Sequence, residues 1–525
     1  MKNFLTLLLF LTTYFTVNAQ RNVILIIADD LGSDYCGFNE NHLDTVAMPN
    51  VRRLLARGVR FRNAWSNPLC SPTRAGMLTG RYSFRTGIGD VVGGSTPALD
   101  TAEITIPKLL NVFNPNGIAK ANIGKWHLQN PMPVSNLTHP NKMGYDHYEG
   151  NFSGALNSFT NWTKITNGVS ANITTYATTE TVNNAVSWIK TQQNKPFFLW
   201  LAFNAPHTPY QIPPASLYNN TTNLSGTTAD IAANPKPYFK ASIVALDKEI
   251  GRLFDSLQVF QKWDNTDIIF IGDNGNETPV AQRTGGAKGG IMQQGVSVPF
   301  IISGPSVVNP NRMSPALVNT TDLFATILEL FGYTTWQSQI PTNKPVDSKS
   351  ILPILKNQAT DTRQWVFTEV FKVPTVAADG KTMRNVGYKL LDFDNGTQKF
   401  YKIDTDSLET TDLLLRPLTA TAQTNYNYLC NEMTNLVGRG GFCTLTPTQD
   451  PQNPDNLSVF PNPFVDFITI KNGHGNEDFR LYNTLGQVYF VGKNIEHQRF
   501  NWLPRGVYFL EISSKTKTVL KVIKG

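Results

Sequence analysis

Asn22-Val23-Ile24-Leu25-Ile26-Ile27-Ala28-Asp29-Asp30-Leu31-Gly32 runs from an unbroken apolar stretch directly into two acids and a turn. No polar residue interrupts Val23 to Ala28, so a strand over Asn22 to Ala28 has to be buried on both faces. The pattern recurs. Pro196 to Phe203 is apolar and leads into Ala205-Pro206-His207-Thr208-Pro209, and Asp267 to Ile271 leads into Gly272-Asp273-Asn274-Gly275. Ser297 to Ile302 reads as a further strand. Between these runs lie helical patterns: Pro49 to Arg57, closed by Gly58, Tyr238 to Leu257 with one apolar face, and a capped helix from Thr320 to Phe331. Strands alternating with helices predict an α/β fold with a mainly parallel sheet covered on both faces, where ligands gather at the carboxyl ends of strands. Asp29, Asp30, His207, Asp273 and Asn274 all follow such ends.

A second stretch carries the reactive chemistry: Cys70-Ser71-Pro72-Thr73-Arg74, continuing as Ala75-Gly76-Met77-Leu78-Thr79-Gly80-Arg81. Ser71 suits an N-cap and Pro72 the first helical position, which places Cys70 just ahead of a helix whose positive end faces any anion there. Arg74, in the first turn, adds a forked and permanent cation. A cysteine-dependent phosphatase loop would leave five residues between Cys and Arg, and this chain leaves three. Asp29, Asp30, Asp273 and Asn274 offer hard oxygen donors that suit Ca²⁺ or Mg²⁺ and do not suit a Cys/His zinc site.

Taken together, Cys-x-Pro-x-Arg followed by Thr79-Gly80-Arg81, then Gly124-Lys125-Trp126-His127-Leu128, Ala205-Pro206-His207-Thr208-Pro209 and Gly286-Ala287-Lys288-Gly289-Gly290, resemble the sulfatase family in the family's own order over Asn22 to Pro305. The resemblance implies an alkaline-phosphatase-like sheet sandwiched by helices. It further implies that Cys70 is oxidised to formylglycine by a separate maturation enzyme, and that Asp29, Asp30, Asp273, Asn274 and residue 70 hold Ca²⁺. Lys125 and Lys288 then bind sulfate, with Arg74 beside them. In the implied reaction one hydroxyl of hydrated formylglycine, acidified by Ca²⁺ and assisted by Asp273, attacks sulfur while His207 protonates the leaving alcohol. His127 next takes the proton of the other hydroxyl and sulfate departs. One departure stands out: Gln293-Gln294 occupies a place where relatives carry an acid before Gly295, which is expected to affect loop support or substrate fit. A phosphoester or phosphonate hydrolase of the same superfamily is the alternative enzyme, and a surface protein that binds sulfated glycan without turnover is the non-catalytic one.

The 525 residues, 41% hydrophobic and 16% charged, suffice for a large core and further domains. The net charge of +7 is scattered, which argues against nucleic acid and is compatible with a sulfated polymer. Lys2, the apolar run from Phe4 to Val17 and the small-residue site at Val17-Asn18-Ala19 read as a signal peptide over residues 1–19, and no transmembrane segment is expected. The catalytic domain is assigned to residues 20–340 and a smaller α+β subdomain to 341–445, with short segments at Gln364 to Val370 and Tyr388 to Asp392. A polar linker, 446–456, precedes short alternating strands at Phe467 to Lys471, Phe479 to Tyr482, Gln487 to Phe490, Gly506 to Ser513 and Lys517 to Ile523, the pattern of a small β-sandwich. Val459-Phe460-Pro461-Asn462-Pro463, Leu485-Gly486-Gln487, Leu503-Pro504-Arg505-Gly506-Val507-Tyr508 and Lys521-Val522-Ile523-Lys524-Gly525 resemble the type IX secretion sorting domain of Bacteroidetes. That resemblance implies export through the periplasm to the surface or medium and the type IX machinery as a partner. Cys430 and Cys443, in a loop-like Gly-rich segment, are expected to pair, leaving Cys36 free. The substrate expected is a sulfated carbohydrate before an aryl sulfate. Trp65, Trp162 and Trp336 read as core residues before sugar-stacking ones.

Overall fold

The computed structural model describes residues 21–525 apart from 39–43, 94, 116, 221, 223, 284–286, 373, 439–456, 474 and 514–516. The signal peptide, the linker, Gly286 and Cys443 therefore lie outside the described residues. The chain divides into two compact units, one formed by Met1–Leu415 with Ala422–Phe442 and the other by Arg416–Thr421 with Cys443–Gly525.

The first unit is built on a ten-stranded sheet. Its strands are β1 (Asn22–Ala28), β2 (Gly58–Trp65), β3 (Ala119–Lys125), β4 (His147–Asn151), β5 (Trp162–Thr166), β6 (Val169–Ile173), β7 (Phe197–Ala202), β8 (Thr266–Gly272), β9 (Phe300–Ser303) and β10 (Arg312–Asn319). Their spatial order is β10-β2-β9-β8-β1-β7-β3-β4-β5-β6. The central block β8, β1, β7, β3 and β4 is parallel throughout. Antiparallel β9 sits between β8 and β2, and β5 and β6 extend the far edge as antiparallel strands.

All seven residues of β1 are buried. Val23, Leu25 and Ile27 join a core that includes Phe198, Trp200 and the Leu323–Leu330 helix. Ile24, Ile26 and Ala28 join another with Leu199, Leu201 and the long Pro235–Val259 helix. Alternate side chains thus enter opposite apolar layers, which is why the run carries no polar residue.

The helix expected from Pro49 to Arg57 divides into an α-turn, Pro49–Arg52, and a 3-10 turn, Leu55–Arg57. It stops where the chain dives into the sheet: a side chain at Gly58 would stand 2.6 Å from both Ile302 O and Leu54 O. Of the run Ser297 to Ile302, Pro299 lacks the donor a ladder needs, and the strand begins at Phe300, with Ser297 making a single bridge to Trp65. Trp65, Trp162 and Trp336 are buried in the cores. An antiparallel sheet of β11 (Val366–Val370), β12 (Gly380–Arg384), β13 (Lys389–Phe393) and β14 (Gln398–Tyr401) and, from Ala422 on, the Ala420–Val437 helix complete the unit. Cys430 lies on that helix and not in a loop; it is disulfide-bonded, while Cys36 is free and buried.

The second unit holds a two-stranded sheet, β15 (Ser458–Phe460) with β16 (Thr469–Lys471), and a four-stranded antiparallel sheet of β17 (Asp478–Asn483), β18 (Val488–Gly492), β19 (Gly506–Ser513) and β20 (Lys517–Lys524) in the order β18-β17-β19-β20. Leu457, Phe464, Ile468, Leu481, Leu510 and Val522 share one core between them. Among the described residues of the whole chain no helix is long and apolar enough to cross a membrane.

Candidate active site

Parallel strands carry their last residues to one edge, and five of them bring polar groups there: Asp29 and Asp30 after β1, His207 after β7, Lys125 and His127 at the end of β3, Asn151 at the end of β4, and Asp273 and Asn274 after β8. The Cys70–Thr79 helix begins at the same place with every residue buried.

Cys70 Sγ lies 3.1 Å from His127 Nδ1. Burial pushes the Cys70 thiol up against the pull of Lys125 and Lys288, which disfavours a cysteine working as a ready thiolate. Burial also holds His127 well below the ordinary imidazole range, and Lys125 and Arg74 add to that, so the ring is a neutral acceptor or donor and not a cation. Its backbone is left-handed (φ 54°), and the ring packs on Gly154, where a side-chain carbon would stand 2.5 Å from His127 Cε1.

Two charged chains run inward from Cys70. Lys125 Nζ donates to Asp29 Oδ2 at 2.6 Å. Arg74 donates from Nε and Nη2 to Asp273 Oδ2, at 3.2 and 2.8 Å, and from Nη1 to the Lys125 carbonyl at 3.0 Å. The guanidinium fork expected to face an anion on residue 70 is engaged with Asp273 and the end of β3 instead. On the outer side Lys288 Nζ lies 2.8 Å from Asp30, whose Oδ1 also accepts from Asn274 Nδ2 at 2.7 Å. Burial opposes the charge on Lys288, and Asp30 overrides it and raises the ammonium's pKa. For Asp29 and Asp30 burial pushes upward, and the neighbouring basic groups prevail: Lys125, His207 and Arg74 for Asp29, His207 and Lys288 for Asp30. Both remain carboxylates. Asp30 holds φ 60°, and its N–H donates to Asp273 Oδ1 at 3.0 Å, which locks the two strand ends together.

The donor set fits a hard divalent cation. Asp29 Oδ1 and Asn274 Oδ1 are buried without a hydrogen bond, and Asn274 Nδ2 is fixed by Asp30 Oδ1 and the Gly275 carbonyl so that its oxygen faces away from them. Ligand atoms of Asp29, Asp30 and His207 all lie within 4.8 Å of one another. Asp273 is committed more heavily, with one oxygen on Arg74 and the other on the Asp30 N–H.

His207 donates from Nδ1 to the Thr208 carbonyl at 2.8 Å, which leaves Nε2 facing Asp30 Oδ2 at 3.5 Å and Glu277 Oε1 at 3.8 Å. Every site residue named from sequence thus lies at one strand edge. The local geometry differs at Ser71: it is not the N-cap, which is Leu69, because its hydroxyl donates to the His127 carbonyl at 2.8 Å and accepts from the Val92 N–H at 3.0 Å. Cys70 is accordingly the first helical residue. Arg81, the last residue of the quoted motif, forms a two-oxygen ion pair with Glu103, away from Cys70, and ties the helix end to Pro345 O.

Sequence reading missed two acids. Glu277 follows the Asp273-Asn274 turn by three residues and meets both His207 and Lys288. Glu409 reaches from the loop after β14, accepts from the Gln293 backbone N–H at 2.6 Å and pairs with buried Lys389 at 2.7 Å. An acid is therefore present beside Gln293-Gln294, supplied from more than a hundred residues downstream. Gln293 Oε1 itself accepts from Trp65 Nε1 at 3.2 Å.

A sulfatase family profile matches residues 21–333, and a secretion system C-terminal sorting domain profile matches residues 458–524. N-acetylgalactosamine-6-sulfatase of Homo sapiens is 28% identical over 380 residues, covering 64% of this chain and 65% of its own length. N-acetylgalactosamine-6-O-sulfatase of Bacteroides thetaiotaomicron is 27% identical over 435 residues, covering 66% and 79%. The chain thus spans about two thirds or somewhat more of these relatives. The crystal structure of Ps i-CgsB in complex with k-i-k-neocarrahexaose superposes with a TM-score of 0.68 at 25% identity, covering 80% of this chain and 93% of the other. With the profile spanning most of the first unit and the motif residues gathered at one strand edge, the chain belongs to the sulfatase family of sulfuric ester hydrolases and carries a secretion sorting domain at its C-terminus.

Proposed function

We propose that this protein is a secreted glycan sulfatase that hydrolyses sulfate esters on sulfated polysaccharides or oligosaccharides. The observation that carries the reading is the convergence of Arg74, Lys125, His127, His207 and Lys288 around Cys70, beside four oxygen-donor side chains, at the carboxyl edge of one parallel block. Asp29, Asp30, Asp273 and Asn274 with residue 70 would hold Ca²⁺. Calcium and a formylglycine made from Cys70 by a maturation enzyme would supply, respectively, positive charge on the sulfuryl oxygens and the hydroxyl nucleophile.

The chain's own groups do the rest. Lys125 and Lys288 flank residue 70 as fixed cations and draw the anionic ester in. Arg74 acts through Asp273, holding that carboxylate against β3. His127, kept neutral by burial and adjacent cations, is the base at residue 70, with Nδ1 already at contact distance. His207 has Nδ1–H fixed on a carbonyl, so only Nε2 exchanges a proton, and it gives that proton to the leaving alcohol.

The glycan class rests on the named sulfatase relatives and on the neocarrahexaose-bound neighbour. The tail supports export by type IX secretion through the periplasm of a bacterium. We assign catalysis to residues 20–445, with the subdomain from 341, and sorting to 457–525. The test is sulfate release by the matured protein from defined sulfated oligosaccharides, run beside the corresponding phosphate esters. Sulfate release with phosphate esters left intact supports the reading, and preferential phosphate release overturns it.

A further inference from the structure

Side-chain exposure rises along a short line of ionisable groups: 1% at Asp30, 8% at His207, 13% at Lys288 and 24% at Glu277. Glu277 is therefore the outermost member of the site and the first that a substrate meets. Its Oε1 lies 3.8 Å from His207 Nε2 and 3.5 Å from Lys288 Nζ. Neither contact satisfies it. Lys288 already has Asp30 at 2.8 Å, and among the described residues the Glu277 carboxylate accepts no hydrogen bond, while its backbone carbonyl closes the turn with Val280 and Ala281.

We infer that Glu277 is a specificity residue that reads the substituent next to the sulfated carbon: it accepts a hydrogen bond from a free hydroxyl there and repels a sulfate or carboxylate. This rests on the reading of His207 as proton donor. The leaving oxygen has to lie at His207 Nε2, and on a sugar ring the oxygen of the neighbouring carbon sits roughly a hydrogen-bond length from it. A carboxylate 3.8 Å from Nε2, on the solvent side, is in reach of that neighbour. The sulfate itself is directed inward, to Lys125 and Lys288. The substrate class follows: monosulfated sugar residues whose neighbouring position is an unmodified hydroxyl, in preference to vicinally disulfated ones.

Three esters and three proteins test this, all as the matured full chain: 4-nitrophenyl sulfate, which has no neighbouring hydroxyl; a pyranoside monosulfate with one; and the same sugar sulfated at both positions; with wild type, Glu277→Gln and Glu277→Ala. Wild type is expected to prefer the monosulfate to the disulfate by at least about tenfold in kcat/KM. Glu277→Gln keeps an acceptor and removes the charge, so turnover of the disulfate rises relative to the monosulfate. Glu277→Ala loses the acceptor as well, and the monosulfate falls by about 10- to 100-fold relative to the aryl ester. Equal losses on all three esters mean that Glu277 acts only through Lys288 and His207, and overturn the proposal, as does an unchanged ratio of monosulfate to disulfate. Wild type that releases sulfate from none of them overturns the sulfatase reading, and this proposal with it.

Discussion

The central strands of the first unit and the strands of the C-terminal sheet are both apolar-rich, yet they place their polar groups differently. In β1, β7 and β8 every residue is buried. In β19 and β20 buried positions alternate with partly exposed or exposed ones. A strand covered on both faces has nowhere to put a charge except at its end, so parallel strands that all end on one side concentrate Asp29, Asp30, Lys125, Asp273 and Asn274 in a small volume. An antiparallel sheet with one wetted face disperses its lysines and glutamates along the strands. Burial on two faces gathers the site, and the tail, lacking it, spreads its polar groups over an open face.

If this contrast is right, large functional effects belong to the strand ends of the first unit. Cys70→Ala is expected to abolish sulfate release by at least about 10³-fold while leaving the melting temperature close to wild type. Mass spectrometry of the peptide spanning Leu69 to Arg74 is expected to show an aldehyde, and full activity with an intact thiol would break the scheme. With His207 as the proposed proton donor, His207→Ala should cost about 10²- to 10⁴-fold on alkyl sulfates and far less on activated aryl sulfates, whose leaving groups need no proton. His127→Ala should instead accumulate a sulfated residue 70 whatever the leaving group, and identical leaving-group dependence in the two mutants would count against the division of labour.

Stability effects come next. Ile26→Ala removes a fully buried side chain from the middle of β1 and is expected to cost about 2–5 kcal/mol by denaturant unfolding, with activity lost as the unit opens. Acid should act through His139. Its Nδ1 accepts from Trp126 Nε1 at 3.1 Å, and Nε2 faces the Leu99 carbonyl at 2.9 Å, so the folded state wants the neutral tautomer with Nε2–H. Burial brings its pKa down to about 4 from 6.5. The unfolded chain therefore takes up a proton first as pH falls, and the penalty is absent above 6.5, grows through the window and is complete below 4. The loss is on the order of 3 kcal/mol, and His139→Gln, which keeps an acceptor and a donor, should flatten that part of the pH–stability curve. The smallest effect belongs to the tail: deleting residues 457–525 should leave activity within about twofold, since the tail packs around its own core, while a host with type IX secretion is expected to retain the protein in the periplasm. Lost activity on deletion would give the tail a part in the site.

Much of this was legible in sequence, for reasons the two regions make plain. A doubly buried strand writes itself as a continuous apolar run, so the sequence marks β1 to the residue and β7 and β8 to within one residue at each end. The acids after them followed from the same logic. Pairing was not legible, because it is settled by chain brought in from far away. Nothing local to Arg74 says that its fork meets Asp273, nothing near Ser71 says that its hydroxyl is drawn to His127 and Val92 instead of the helix start, and nothing near Gln293 announces Glu409. Antiparallel β9 looks in sequence like one more strand of the series, since an apolar run does not record its direction.

The burial of Cys70 has a consequence in time. Its side chain is 1% exposed, and the helix that carries it is pinned by Arg74 to Asp273, 199 residues later in the chain. Any protein that oxidises this thiol has to reach it before that clasp closes. At roughly 5–20 residues per second, synthesis alone leaves an interval of about 10–40 s between the appearance of the two partners. If Cys70 is converted as proposed, maturation would be a race against folding, and a variant that slows docking of β8 would then be expected to carry a larger fraction of converted protein even with a less stable finished fold.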